Sequence, residues 1–134
     1  MRQALHLSLS CSMERSELGH NGEDAALDYL QKKGMALLAR NWRSEHYEID
    51  LVMDDGSSIR IVEVKSLDER DGFDPLDNMT AAKCGKLVKA ARRFIAENPT
   101  DKEIFFDVVT VLFCSDGPRI TYIPSAFLPV RSLH

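Results

Sequence analysis

Cysteine is scarce and scattered. Cys11, Cys84 and Cys114 are odd in number and far apart, with no CxxC pair, so neither a zinc site nor a disulfide framework is suggested. Free thiols in a reducing cytoplasm are the simpler reading, and a cytoplasmic location is expected. Long apolar runs are also missing: no stretch approaches the ~20 apolar residues that cross a membrane, so no membrane association is expected. An excess of positive charge is lacking too. The formal net charge is -4, so any nucleic-acid face must be built from locally clustered Lys and Arg, with the acids kept elsewhere.

What is present fits one globular domain. With 134 residues, 44% of them hydrophobic and 28% charged, the chain can bury an ordinary core, and wholesale disorder is excluded. Arg2 followed by Ala4, Leu5, Leu7 and Leu9 hints at a signal peptide. His6, Ser8 and Ser10 interrupt that run, and it is short for an apolar core with a cleavage site. Residues 1–15 are therefore read as a poorly ordered extension or an early start codon, and 16–134 as a single domain without internal repeats.

Periodicity orders the elements. A helix is expected from Ser16 to Lys33, with Leu18, Ala26, Leu27 and Leu30 on one stripe and Gly34 as its stop. Met35 to Arg43 reads as a strand. Glu48 to Met53 and Ile59 to Lys65 are β-type runs around Asp54-Asp55-Gly56-Ser57-Ser58, a hairpin signal because Gly accepts the positive φ of a type I′ turn. Ser66 to Asn78 reads as a loop carrying Asp68, Glu69, Asp71, Asp74 and Asp77. Thr80 or Asn78 caps a second helix reaching Glu97, with Leu87, Val88, Ala91, Phe94 and Ile95 as its stripe, ended by Asn98-Pro99. Ile104 to Phe113 resembles a strand covered on both faces. Asp116-Gly117-Pro118 turns the chain into a last strand, Arg119 to Ile123. The expected fold is α/β, a mixed central sheet flanked by helices.

The hairpin carries the chemistry. With Asp55-Gly56 as a two-residue turn, Glu48 faces Glu63 and Asp50 faces Ile61. Alternation then puts Glu48, Asp50, Glu63 and Lys65 on one side, with Asp50 diagonal to Glu63. Their neighbours Ile49, Leu51, Val52, Ile61, Val62 and Val64 belong in a covered strand, where like-charged carboxylates cost several kcal/mol unless compensated. A hard divalent cation, Mg²⁺ or Mn²⁺, compensates through oxygen ligands. Asp50 and Glu63 are the candidate ligands, with the Val64 carbonyl as a third. Such a metal would lower the pKa of bound water, while Lys65 orients the nucleophile or stabilises the transition state. A purely structural alternative is that Lys65 neutralises the acids in an ion-pair network. Glu23 joins the candidate set because Ala26, Leu27 and Leu30 follow it at i+3, i+4 and i+7, which puts it beside the apolar stripe. Gly19 and Gly22 leave room there for close approach to the sheet. The bland reading of Glu23 is a first-turn acid favoured by the helix dipole.

An acid, then E-x-K on the next strand, with an upstream helical Glu, resembles the restriction-endonuclease-like PD-(D/E)xK superfamily. More closely, the chain is similar to the YraN family of uncharacterised proteins, read as endonucleases distantly akin to archaeal Holliday-junction resolvases. The resemblance runs from about Gly19 to Phe127, through GHNGEDAALDYLQKKG, ARNWR at Ala39 to Arg43, EIDLV from Glu48, VEVK from Val62, the Lys83 region and FDVV from Phe106. It implies an αβββαβ core and Mg²⁺-dependent cleavage of phosphodiesters in DNA, in branched or single-stranded forms. Glu23, Asp50, Glu63 and Lys65 would form the catalytic set. Tyr47 stands where a Gly usually precedes EID, and Leu67 where an Arg usually follows EVK. The first narrows access to the site, and the second removes a phosphate contact.

Arg43, Lys83, Lys86, Lys89 and Arg93 are the candidate nucleic-acid contacts, against the blander reading of a solvated charged face. Trp42 between Arg40 and Arg43 suits base stacking, but a single Trp is more often packed in the core. His20 and His46 flank the acids without being assigned as ligands, and Asp107 is expected to satisfy a local hydrogen bond or cation. The alternatives to a nuclease are a non-cutting nucleic-acid module of the same fold and a protein-interaction subunit. A homodimer is compatible with any of these.

Overall fold

A computed structural model of the chain describes residues 15–68 and 79–128. The expectations for the N-terminal extension, Cys11 and residues 69–78 lie outside the described residues, as do those for the side chains of Leu18 and His20. Within them the order is α1 (Arg15–Lys32), β1 (Ala36–Ser44), β2 (Tyr47–Asp54), β3 (Ser58–Asp68), α2 (Ala81–Glu97), β4 (Glu103–Cys114) and β5 (Gly117–Phe127). The strands form one sheet in the order β1-β2-β3-β4-β5. Only β3 and β4 run parallel, with α2 as their crossover, so the sheet is mixed.

Local chemistry sets the ends of the helices. Gly34 adopts φ 100° and closes α1 in a Schellman motif. Its N–H donates to the Gln31 carbonyl at 2.9 Å and the Met35 N–H to the Leu30 carbonyl at 3.1 Å. Thr80 is the N-cap of α2, its hydroxyl accepting from the Lys83 N–H at 3.2 Å. At the far end the Asn98 N–H bonds the Phe94 carbonyl before Pro99 stops the helix.

Each helix covers one face. Ala26 and Leu30 of α1 pack with Leu51, Met53, Val62, Val109 and Val111. Leu87, Val88, Ala91 and Phe94 of α2 pack with Ile49, Val52, Ile61 and Phe106. Both faces of β3 and β4 are therefore apolar, as their nearly continuous hydrophobic sequences require. Trp42 belongs to this packing, edge-on to Phe94 with ring centroids 5.5 Å apart. Cys84 and Cys114 are not joined in a disulfide.

Three expectations are corrected. First, the hairpin turn is centred one residue later than expected. Asp55 faces Ser58, with its N–H donating to the Ser58 carbonyl at 3.1 Å. Of the two central residues only Gly56 has positive φ, 101°, as in a type II′ turn rather than I′. The Asp55 carboxylate causes the slip: it accepts from the N–H groups of Ser57 and Ser58 at 3.0 and 2.8 Å, fixing its own backbone. Second, β3 continues through Asp68, because its parallel pairing with β4 reaches Asp68 opposite Phe113. Third, β5 extends to Phe127 by way of a bulge. Phe106 pairs with Phe127 but Val108 with Ile123, and Ser125 within the bulge has φ 51°. As an edge strand, β5 tolerates Pro118 and Pro124.

Candidate functional site

Leu51 pairs with Val62 and Val52 with Ile61, so the shifted turn leaves Asp50 at the end of the paired stretch, near enough to Glu63 to feel its charge. The ladder stops there, and the Asp50 carboxylate replaces it, accepting from the Val64 N–H at 2.8 Å. Side-chain alternation also breaks at this point. Ile49 and Val52 both pack toward α2, while Leu51 and Met53 pack toward α1. On β1 the same irregularity appears beside it: Ala39 and Trp42 pack on one cluster, and Asn41 between them has φ 52°. Asp50 thus reaches across toward β3, instead of standing on the face where simple alternation would place it.

Glu63 and Lys65 face α2. With Tyr47, Glu48, Lys83 and Lys86 they line a cavity of about 330 Å³. Lys65 Nζ lies 3.2 Å from Glu63 Oε2, both half-buried. On the opposite flank Glu23 of α1 is 18% exposed, with Arg40 Nε 3.7 Å from its Oε1. Arg40 also bonds Asp24 at 2.5 Å.

Electrostatics separate Asp50 from its neighbours. Burial, then the charge of Glu63, push its carboxyl up to about 7. The Val64 hydrogen bond opposes this, and Glu23 and Glu48 add to it. The Cys84 thiol nearby is also raised, by burial and then by Glu63, with Lys65 acting the other way. Among the described residues no three His, Cys, Asp or Glu side chains form a ready-made metal cage. The carboxylates whose charges act on Asp50 are Glu63, Glu23 and Glu48.

The basic candidates divide. Lys83 and Lys86 open onto the acid cavity, and Lys89 is exposed. Arg43 lies 3.5 Å from Glu48 at the surface. Arg93 has protein partners: its guanidinium bonds Ser44 at 3.3 Å and Glu45 at 3.1 Å and sits 5.2 Å from the Tyr47 ring centre. It fastens the β1–β2 turn to α2. Arg40 was visible in the sequence within ARNWR, yet nothing local signalled that it would meet a helix sixteen residues upstream.

A second acid of the sheet lies on β4. Asp107 is wholly buried and accepts from Arg60 at 3.1 Å, the Tyr122 hydroxyl at 2.5 Å and the Ser125 N–H at 2.8 Å. A local hydrogen bond or a cation was expected; Asp107 has both kinds of partner, but from residues 15 to 47 positions away. Burial, then the bond to Asp107, raise the Tyr122 hydroxyl. Burial works against the Arg60 charge, but Asp107 and Asp55 more than offset it.

Helix, three antiparallel strands, helix and a parallel fourth strand make an α/β fold consistent with a restriction-endonuclease-like core. Sequence comparison then gives the family. The profile described as uncharacterised protein family UPF0102 matches residues 22–111. A UPF0102 protein of Bacteroides fragilis is 38% identical over 116 residues, 87% of this chain and 96% of the relative. One from Flavobacterium psychrophilum is 39% identical over 114 residues, 85% and 96% of the two chains. Another, from Acidothermus cellulolyticus, is 34% identical over 125 residues, 84% and 95%. The chain belongs to the UPF0102 family. No helix among the described residues is long and apolar enough to cross a membrane.

Proposed function

We propose that this protein is a metal-dependent endonuclease that hydrolyses phosphodiester bonds in DNA. The observation that carries the reading is the under-neutralised acid pair. Asp50 accepts from the Val64 N–H and feels the charges of Glu63, Glu23 and Glu48, while Lys65 is engaged by Glu63.

Hard oxygen donors and residual negative charge suit Mg²⁺ or Mn²⁺. Asp50, Glu63 and the Val64 carbonyl would hold the ion, which when bound supplies an acidified water and charge neutralisation at the phosphate. The chain's own groups do the rest. Lys65, beside Glu63, offers its ammonium to the attacking oxygen and to the charge that builds on the phosphate. Glu23 holds water on the α1 side, while Lys83 and Lys86 draw the backbone phosphates to the cavity mouth. Lys89 and Arg43 extend that attraction outward.

The test is cleavage of linear, single-stranded and four-way-junction DNA by purified wild type and Lys65→Ala, with Mg²⁺ or Mn²⁺. Metal-dependent cutting lost in the variant supports the reading; cutting that survives Lys65→Ala contradicts it. The Lys65–Glu63 ion pair favours a second reading, a nucleic-acid-binding module that cuts nothing. Salt-sensitive DNA binding with no cleavage under any of these conditions would select it.

A further inference from the structure

The close crossing of α1 over β3 determines where Glu23 stands. Gly22 is buried in α1, and a Cβ added to it would overlap Ser66 Oγ and lie 2.8 Å from Ser66 Cβ, with Phe113 Cε2 behind at 3.9 Å. A side chain there requires Ser66 or the helix to shift. The next residue, Glu23, reaches to Arg40 on β1, and β2 lies between β1 and β3. Arg40 pairs with Leu51, the neighbour of Asp50, and the Glu23 carboxylate that Arg40 meets is close enough for its charge to act on Asp50. From this geometry we infer that Gly22, through its contact with Ser66, is a positioning residue that delivers Glu23 to the acid cluster. Arg40 holds the carboxylate from the other side.

Gly22 and Ser66 are complementary: removing the Ser66 side chain makes room for a Cβ on residue 22. Residues that orient the groups around a metal change its affinity by roughly 10–100-fold when altered, and Gly22→Ala is expected to act at the lower end of that range. The inference rests on the metal reading above, and the experiment separates the two. Mn²⁺ is titrated calorimetrically into wild type, Gly22→Ala, Gly22→Ala/Ser66→Gly, Glu23→Gln and Gly22→Ala/Glu23→Gln, with folding checked by circular dichroism.

The expected result is Mn²⁺ affinity about tenfold weaker in Gly22→Ala, restored by Ser66→Gly, and no further loss from Gly22→Ala once Glu23 is Gln. A merely structural role for Gly22 would lower the melting temperature equally in both backgrounds and leave affinity alone. Wild-type affinity in folded Gly22→Ala, or losses that add to those of Glu23→Gln, overturns the inference alone. A wild type that takes up no Mn²⁺ overturns the metal reading and this inference with it. Ser66→Thr crowds the same contact by one methyl and serves where Gly22→Ala does not fold. It too must weaken Mn²⁺ binding, and unchanged affinity there counts against the inference.

Discussion

Asp107 on β4 and Asp50 on β2 are carboxylates inside one sheet, and their surroundings are opposite. Asp107 has a guanidinium, a hydroxyl and a backbone N–H. Among the described residues Asp50 has one N–H and three acidic neighbours, Glu63, Glu23 and Glu48. A buried charge whose partners are all supplied by the protein is a structural element. One left short of positive charge is a cost that folding alone does not explain, and it is the signature expected where a cation belongs.

Mutation should divide the two sites by sign. Arg60→Met strips the cation from wholly buried Asp107, and urea unfolding should show a loss of about 3–5 kcal/mol. Asp50→Asn should do the reverse in metal-free protein. Above pH 7 the native Asp50 is ionised against its neighbours, so the substitution should stabilise by roughly 2–4 kcal/mol at pH 8. Destabilisation of similar size at both positions would erase the distinction.

The pH dependence sharpens it. The Asp50 carboxyl is raised from 3.8 to about 7 in the folded state. Below pH ~4 both states hold the proton. Between there and pH 7 only the native state does, so its stabilising contribution falls as pH rises. The wild type should lose up to ~1.4 kcal/mol per pH unit relative to Asp50→Asn, and saturating Mg²⁺ should suppress the loss above pH 7. Parallel pH profiles for the two proteins would remove Asp50 as the source.

The smallest effect concerns nucleic acid. Lys83→Gln with Lys86→Gln should reduce the slope of log K against log salt by up to about 2. Arg93→Gln should change it by less than about 1, since that side chain already serves Ser44, Glu45 and Tyr47. Replacing Lys86, Lys89 and Arg93 together therefore falls short of three phosphate contacts.

Much of this was legible in local sequence. Gly34 and Thr80 mark helix ends because capping is settled within a few residues, and the acids stood out because covered strands seldom carry them. The register was not legible. Turn placement depended on the Asp55 carboxylate binding two N–H groups ahead of it, which moved Leu51 opposite Val62 instead of Arg60. Long-range partners were equally hidden. Arg93 read as a solvated or phosphate-binding face until the β1–β2 turn was seen to close on it. The length of β5 followed from β4 and the bulge that Asp107 satisfies, not from its own proline-interrupted pattern.

The central claim is that Asp50 and Glu63 form one divalent-ion site. Calorimetric titration of Mn²⁺ into wild type, Asp50→Asn and Glu63→Gln at pH 8 tests it most directly. A single site is expected in the wild type and none in either variant, with Asp50→Asn expected to be the more stable metal-free protein. Equal Mn²⁺ affinity in all three would contradict it.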